Sequence, residues 1–246
     1  LMELSIVIPA LNEERKIGRD VEAAAAFLAA EGLSGEIIVV DDGSTDGTAA
    51  AAESAPVGAG IVRRVIRHER NHGKGCAVRT GMLETRGEYA MFADSGLCVP
   101  FSNALRGLAL LRSGRCDLAH GSRHLPESVI VRRRGPYRRL ISRLYRWAIP
   151  VLAHTPGGLS DPQCGFKMYR GDVARALYGR CVCDGFLFDV EIILRAARLG
   201  YRVEEFPIQW RSDPDSRLRP VRAIPRLLRE LRMIRRALAG GRAGPP

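Results

Sequence analysis

Four short apolar runs, each followed by a segment of helix length, occupy the first 114 residues of the chain. "ELSIVIPA", "GEIIVVDD", "GIVRRVIRH" and "EYAMFADS" read as strands. "NEERKIGRDVEAAAAFLAAEG", "TDGTAAAAES", "GKGCAVRTGMLETRG" and "VPFSNALRGLALLRSG" read as the helices that follow them. Strands alternating with helices of this length build a parallel sheet covered on both faces. Ligands of such sheets sit beyond the carboxyl ends of the strands, where the chain order reverses. The predicted class is therefore α/β: a Rossmann-like, mainly parallel sheet flanked by helices, in a single domain. No repeat or linker divides the 246 residues.

Polar residues fall on that predicted edge. Pro9–Glu13, Asp41–Asp42, the His72–Gly75 turn and Asp94 all lie at or just after strand ends, or at a helix start. A single Asp in such a place is ordinarily an N-cap or a turn residue. Four clusters on one edge predict a shared cleft. The "HGKG" turn lacks the spacing of a Walker loop, and by itself a plain helix-capping turn is the favoured reading.

The formal charge of +11 comes from 38 basic and 27 acidic residues, and only Lys16, Lys74 and Lys167 among the basic ones are lysines. Arginine suits phosphate because its planar fork donates paired hydrogen bonds. The arginines gather in "GSRHLPESVIVRRRGPYRRLISRLYR", which also reads as a solvated basic helix face. They lack interleaved aromatic platforms, so no nucleic-acid partner is expected. Six cysteines without zinc-type spacing, no secretory signal and no apolar stretch near 18 residues point to a reducing cytoplasm.

Several stretches together resemble family-2 glycosyltransferases of the GT-A fold, and among them the branch that makes polyprenyl (dolichyl) phosphate sugars. These are "IVIPALNEE", "VVDDGSTDGT", "RNHGKGCAVRTGM", "YAMFADS", "GSR", "DPQCGFKMYR" and "GFLFDVEIILRAARLGYRVEEFPIQW", in the family's order from residue 5 to about 211. The resemblance implies that Pro9, Ala10, Asn12, Glu13 and one or both of Asp41 and Asp42 hold the donor's nucleoside. It implies Gly73, Lys74 and Asp94 at the donor phosphates, with Asp94 as metal ligand and catalytic residue. The family's Asp-x-Asp is here Asp94-Ser95-Gly96, so the expected Mg2+ or Mn2+ would have one protein carboxylate rather than two. Arg123 and Arg138 correspond to the arginines that meet the acceptor's phosphate. Asp161 and Gln163 would line the sugar and acceptor pocket, and Asp161 would be the first candidate base if the acceptor were a hydroxyl. A structural role for Asp161, capping the turn before Pro162, is the alternative.

The expected activity is inverting transfer of a hexose from a nucleotide sugar, UDP-glucose first, to a polyprenyl phosphate at the inner face of the membrane. The alternatives are a GDP-mannose donor, a non-prenyl acceptor, or a catalytically lapsed module that binds nucleotide sugar or anionic lipid. Residues 1–211 would form the GT-A domain and 240–246 a disordered tail. Residues 212–239 form a basic amphipathic segment with Ile224, Leu227, Leu228, Leu231, Ile234 and Leu238 at helical spacing. That segment can lie on an anionic membrane surface or pack on the core. Peripheral attachment or a separate membrane-protein partner follows from the first choice.

Overall fold

The computed structural model describes residues 2–132, 158–212 and 220–240. Strands β1 (Leu4–Ala10), β2 (Gly35–Asp41), β3 (Val62–Arg67) and β4 (Tyr89–Ala93) are joined by helices α1 (Glu14–Ala30), α2 (Thr48–Ser54) and α3 (Lys74–Leu83). Helix α4 (Ala104–Arg112), β5 (Leu118–Ser122), β6 (Val129–Arg132) and β7 (Phe166–Arg170) follow. Helices α5 (Gly171–Tyr178) and α6 (Phe188–Arg198), β8 (Val203–Pro207), β9 (Gln209–Arg211) and α7 (Pro220–Ala239) complete the chain. Every residue of β1, β2 and β4 is buried, as expected of strands with helices on both faces.

The main sheet has the order β3-β2-β1-β4-β7-β5-β8, and β6 pairs with β9 in a separate parallel ribbon. Six of the seven strands run parallel. Strand β7 is antiparallel to both of its neighbours, with Lys167 facing Phe92 on one side and His120 on the other. Because it runs the opposite way, β7 begins where β1, β2 and β4 end. The "DPQCG" turn before it therefore reaches the ligand edge directly.

One apolar layer, with Ile8, Val21, Leu28, Leu108 and Phe206, fills the face under α1, α2 and α4. The other, with Val7, Val40, Phe92, Tyr169, Leu177 and Phe188, fills the face under α3, α5 and α6. Helix α7 packs on this second layer through Leu231 and Ile234, with Leu227 and Leu238 half-buried beside them. Leu228, Arg229, Arg232, Met233 and Arg236 face outward. Ile224 of the predicted stripe and the 241–246 part of the predicted tail lie outside the described side chains. No described helix is long and apolar enough to cross a membrane.

Candidate active site

The ends of β1 and β2 lie side by side, with Ala10 opposite Asp41 and the Asp42 N–H donating to the Ala10 carbonyl at 2.9 Å. Asn12, in the left-handed region at φ 50°, ties the two following loops together. Its N–H donates to Ser44 Oγ at 2.8 Å, and its Oδ1 accepts from the Thr45 N–H at 2.8 Å. The Glu13 N–H donates to Thr48 Oγ1 at 2.8 Å, and its carboxylate lies 3.6 Å from Lys16. Pro9 and Ala10 are buried at the end of β1.

Asp41 and Asp42 have different surroundings. Asp42 accepts from the Gly73 N–H at 2.8 Å and the His72 N–H at 3.0 Å, and His68 Nδ1 lies 2.8 Å from it. Both oxygens are thus engaged, and Asp42 fixes the "HGKG" turn to the sheet. Asp41 is fully buried, and its Oδ1 accepts from the Ser44 N–H at 2.9 Å. Its Oδ2 has no hydrogen-bond partner, with Arg67 Nε 3.5 Å away. A buried carboxylate oxygen in that state is an acceptor waiting for a donor.

Lys74 opens α3, and its ammonium pairs with Asp94 Oδ1 at 2.6 Å. Burial opposes the Lys74 charge, but Asp94 and then Asp189 outweigh it and hold the ammonium above the ordinary lysine range. The Asp94 N–H donates to the Gly165 carbonyl at 2.9 Å, joining the end of β4 to the start of β7. The turn after Asp94 contains two successive left-handed residues, Gly96 at φ 90° and Leu97 at φ 48°. Asp20 of α1, 2% exposed, accepts from the Gly96 N–H at 2.8 Å and pins this turn from below.

Burial pushes the Asp20 carboxyl up to about 7 against the pull of the Gly96 and Leu97 N–H groups. A carboxyl raised above its unfolded value favours the fold most at low pH, and that contribution disappears as pH rises through the raised value. Urea midpoints are therefore expected to fall from pH 4 to pH 7, and Asp20→Asn should flatten much of that slope. An unchanged slope in Asp20→Asn would refute the assignment.

On the other side of the cleft, Arg123 clasps Asp161. Nε donates to Oδ2 at 2.6 Å, Nη2 to Oδ1 at 2.7 Å, and the Arg123 backbone N–H to Oδ2 at 3.0 Å. Burial alone would raise the Asp161 carboxyl, but Arg123 overrides it and holds it below the usual carboxylate range. The guanidinium lies 5.4 Å from the Trp210 ring, and Glu205 accepts from the Ser160 and Asp161 N–H groups at 2.7 Å each. Two of the five guanidinium N–H groups are used on Asp161, which leaves three for an anion. Gln163 is half-buried in the same turn. Arg138 lies outside the described residues.

The pattern of glycosyl transferase family 2 matches residues 5–177, well over half of the chain. The chain belongs to glycosyl transferase family 2. It is 33% identical over 247 residues to the dolichyl-phosphate beta-glucosyltransferase of Drosophila melanogaster, covering 95% of this chain and 74% of the relative. The yeast enzyme of the same name, from Saccharomyces cerevisiae, is 31% identical over 251 residues, with 95% and 74% covered. Among solved structures, glucosyl-3-phosphoglycerate synthase from Mycobacterium tuberculosis, in complex with Mn2+, UDP and glucosyl-3-phosphoglycerate, superposes with a TM-score of 0.68. That match has 23% identity and covers 100% of this chain and 81% of the other. The fold of this glycosyltransferase is thus GT-A.

Among the described residues of this family-2 chain, no three His, Cys, Asp or Glu side chains converge as a metal cage. The set present is one half-exposed hard carboxylate, Asp94, beside an ammonium. It fits a divalent cation that takes its remaining ligands from phosphate oxygens and water. Asp20, Lys167 and Asp189 fall outside the polar clusters that the sequence marks. The available signal was charge inside apolar runs, as in "GFKMY" and "FLFDVEII".

Proposed function

We propose that this enzyme transfers glucose, with inversion, from UDP-glucose to a polyprenyl phosphate. The state of Asp161 carries this reading. With both oxygens held by Arg123, Asp161 is a poor general base, and a hydroxyl acceptor would need a good one. A phosphate monoester needs none, because its second pKa is about 6 and its oxygen is already ionised near neutrality. The dolichyl-phosphate beta-glucosyltransferases related to this chain along most of its length support the same acceptor class.

In this scheme Asp41 Oδ2 accepts the base N–H, and Asp42 keeps the Gly73–Lys74 turn in place through backbone bonds. Pro9, Ala10, Asn12 and Glu13 shape the nucleoside floor. Lys74 meets the departing diphosphate from the α3 N-terminus, where the helix dipole also favours negative charge. Mg2+ or Mn2+ held by Asp94 and the donor's own phosphates would screen the diphosphate's charge. Arg123 orients the acceptor phosphate with the N–H groups that Asp161 leaves over, Arg138 joining it, and Gln163 lines the sugar pocket. The contribution of the chain is alignment and electrostatic support of the leaving group. The outward arginines of α7 support attachment at an anionic, inner-face membrane surface.

Calorimetric titration with UDP-glucose and GDP-mannose, each with Mg2+, Mn2+ or EDTA, tests the donor half. Binding of UDP-glucose alone, strengthened by metal, is expected. Binding of neither donor would sink the donor assignment, and binding without turnover on a polyprenyl phosphate would favour a lapsed module. In the same assay Asp41→Asn should weaken UDP binding about 10- to 100-fold, the scale of one hydrogen bond to a charged group. Unchanged affinity would move the base elsewhere.

A further inference from the structure

Behind the cleft lies a buried pair that the scheme above does not use. Lys167, in the middle of β7, is fully buried, and its ammonium contacts Asp189 Oδ1 and donates to the Pro162 carbonyl at 2.6 Å. Asp189 sits in the first turn of α6 and is 3% exposed. Pro162 joins Asp161 to Gln163, so Lys167 anchors the acceptor-side turn from within. Phe188, the residue before Asp189, reaches the donor side: its ring lies 5.9 Å from the Lys74 ammonium, and a Cβ on Gly75 would come within 2.8 Å of its Cβ. Each of the two ammoniums lies 5.9 Å from the centroid of the Phe92 ring, which packs on Phe188 at 5.6 Å. Two ion pairs, Lys74–Asp94 at the sheet edge and Lys167–Asp189 within the fold, thus lie against one aromatic ring.

A buried ion pair contributes little stability over an apolar pair of similar volume, so stability alone does not account for this one. We propose that Lys167 and Asp189 are positioning residues that lock the donor-side turn (Gly73–Gly75) and the acceptor-side turn (Ser160–Gly165) into one register. Lys167 touches neither substrate. It fixes the Pro162 carbonyl on one side, while its counter-ion Asp189 fixes the start of α6, whose Phe188 packs on the Gly73–Gly75 turn, on the other. Without the pair, both half-sites keep their own binding groups and lose their mutual alignment. Misalignment of about 1 Å costs on the order of 100-fold in rate.

The double variant K167M/D189L removes both charges while leaving the space filled, and K167M alone leaves Asp189 without its counter-charge. Amide hydrogen exchange is read at 73–76 and 160–165, with strands β1 and β2 as internal reference. In the double variant both turns are expected to exchange at least tenfold faster while β1 and β2 keep wild-type rates. Wild-type exchange in both turns of a folded double variant would overturn the proposal. So would faster exchange spread evenly over the sheet. This readout needs no turnover, so it stands whether or not glucose transfer to a polyprenyl phosphate is the reaction. Where the wild type does turn over UDP-glucose, on which the rate prediction rests, the double variant should lose about 100-fold in kcat with its KM for UDP-glucose within about threefold. A kcat within threefold of wild type would also overturn it. K167R, which keeps the charge, should recover part of kcat and exchange more slowly than K167M.

Discussion

Gly165→Ala is expected to lower transfer about 100-fold without unfolding the protein. A Cβ on residue 165 would lie 2.1 Å from Asp94 Oδ2, 2.2 Å from its Cγ and 2.4 Å from Oδ1. The Asp94 backbone N–H is tied to the Gly165 carbonyl, so the two segments cannot draw apart without breaking that bond. Either the carboxylate turns out of its pair with Lys74 or the start of β7 shifts, and both displace the proposed phosphate-binding edge. Steady-state rates with UDP-glucose and a polyprenyl phosphate, beside a thermal melt, check this. Activity within threefold of wild type would mean that the position of Asp94 does not control the reaction.

The second large effect concerns stability. Glu191→Met is expected to cost about 3–5 kcal/mol, the usual result of removing one partner from a buried charge pair. Glu191 is fully buried and accepts from Arg195 Nε at 2.7 Å, the Cys183 N–H at 2.8 Å and the Val182 N–H at 3.0 Å. The variant strands a buried guanidinium and two backbone donors together. At roughly 2–4 °C per kcal/mol for a chain of this size, the melting temperature should fall by about 10 °C. The damage should reach the cleft as well, because the 183–185 loop that Glu191 holds lies against the "HGKG" turn. The Cys76 N–H donates to the Asp184 carbonyl at 3.2 Å, and a Cβ on Gly75 would come within 2.4 Å of the Cys183 carbonyl. The double variant E191M/R195M should recover part of the loss, and a urea-midpoint cycle measures the coupling. A single-variant loss below about 1 kcal/mol would contradict the burial argument.

The donor half of this architecture is legible in the sequence because its information is local. Each of β1 to β4 is a continuous apolar run with a helix after it, and the polar clusters follow the run ends. The placement of β7 is not local. Nothing in "GFKMYR" states that it pairs with "YAMFA" some 75 residues earlier or that it runs antiparallel. The division of labour between Asp41 and Asp42 is also invisible in one dimension, since it depends on the His68–Gly73 turn folding back over Asp42 alone. Lys167 and Asp189 appear in the sequence as isolated charges in apolar surroundings. That they neutralise each other depends on α6 crossing the back of β7. Helix α7 gave two possible orientations, and the buried Glu230, which accepts from the Leu187 N–H at 3.0 Å, ties it to the domain.

Among the described residues, strand β3 forms one margin of the seven-stranded sheet, a place where a foreign strand could add on and start aggregation. Three arginines guard it. Arg63 bonds the Ala55 carbonyl, Arg64 pairs with Glu84 at 2.6 Å, and Arg67 leans on Asp41 while remaining 61% exposed. Arg123 and Arg195 are likewise committed to internal carboxylates. Each such pair cancels a carboxylate already counted in the formal charge, so the surplus of +11 lies beyond them. Arginine thus serves as solubilising armour at one sheet margin and as counter-ion to buried carboxylates, while the uncancelled surplus remains for an anionic surface.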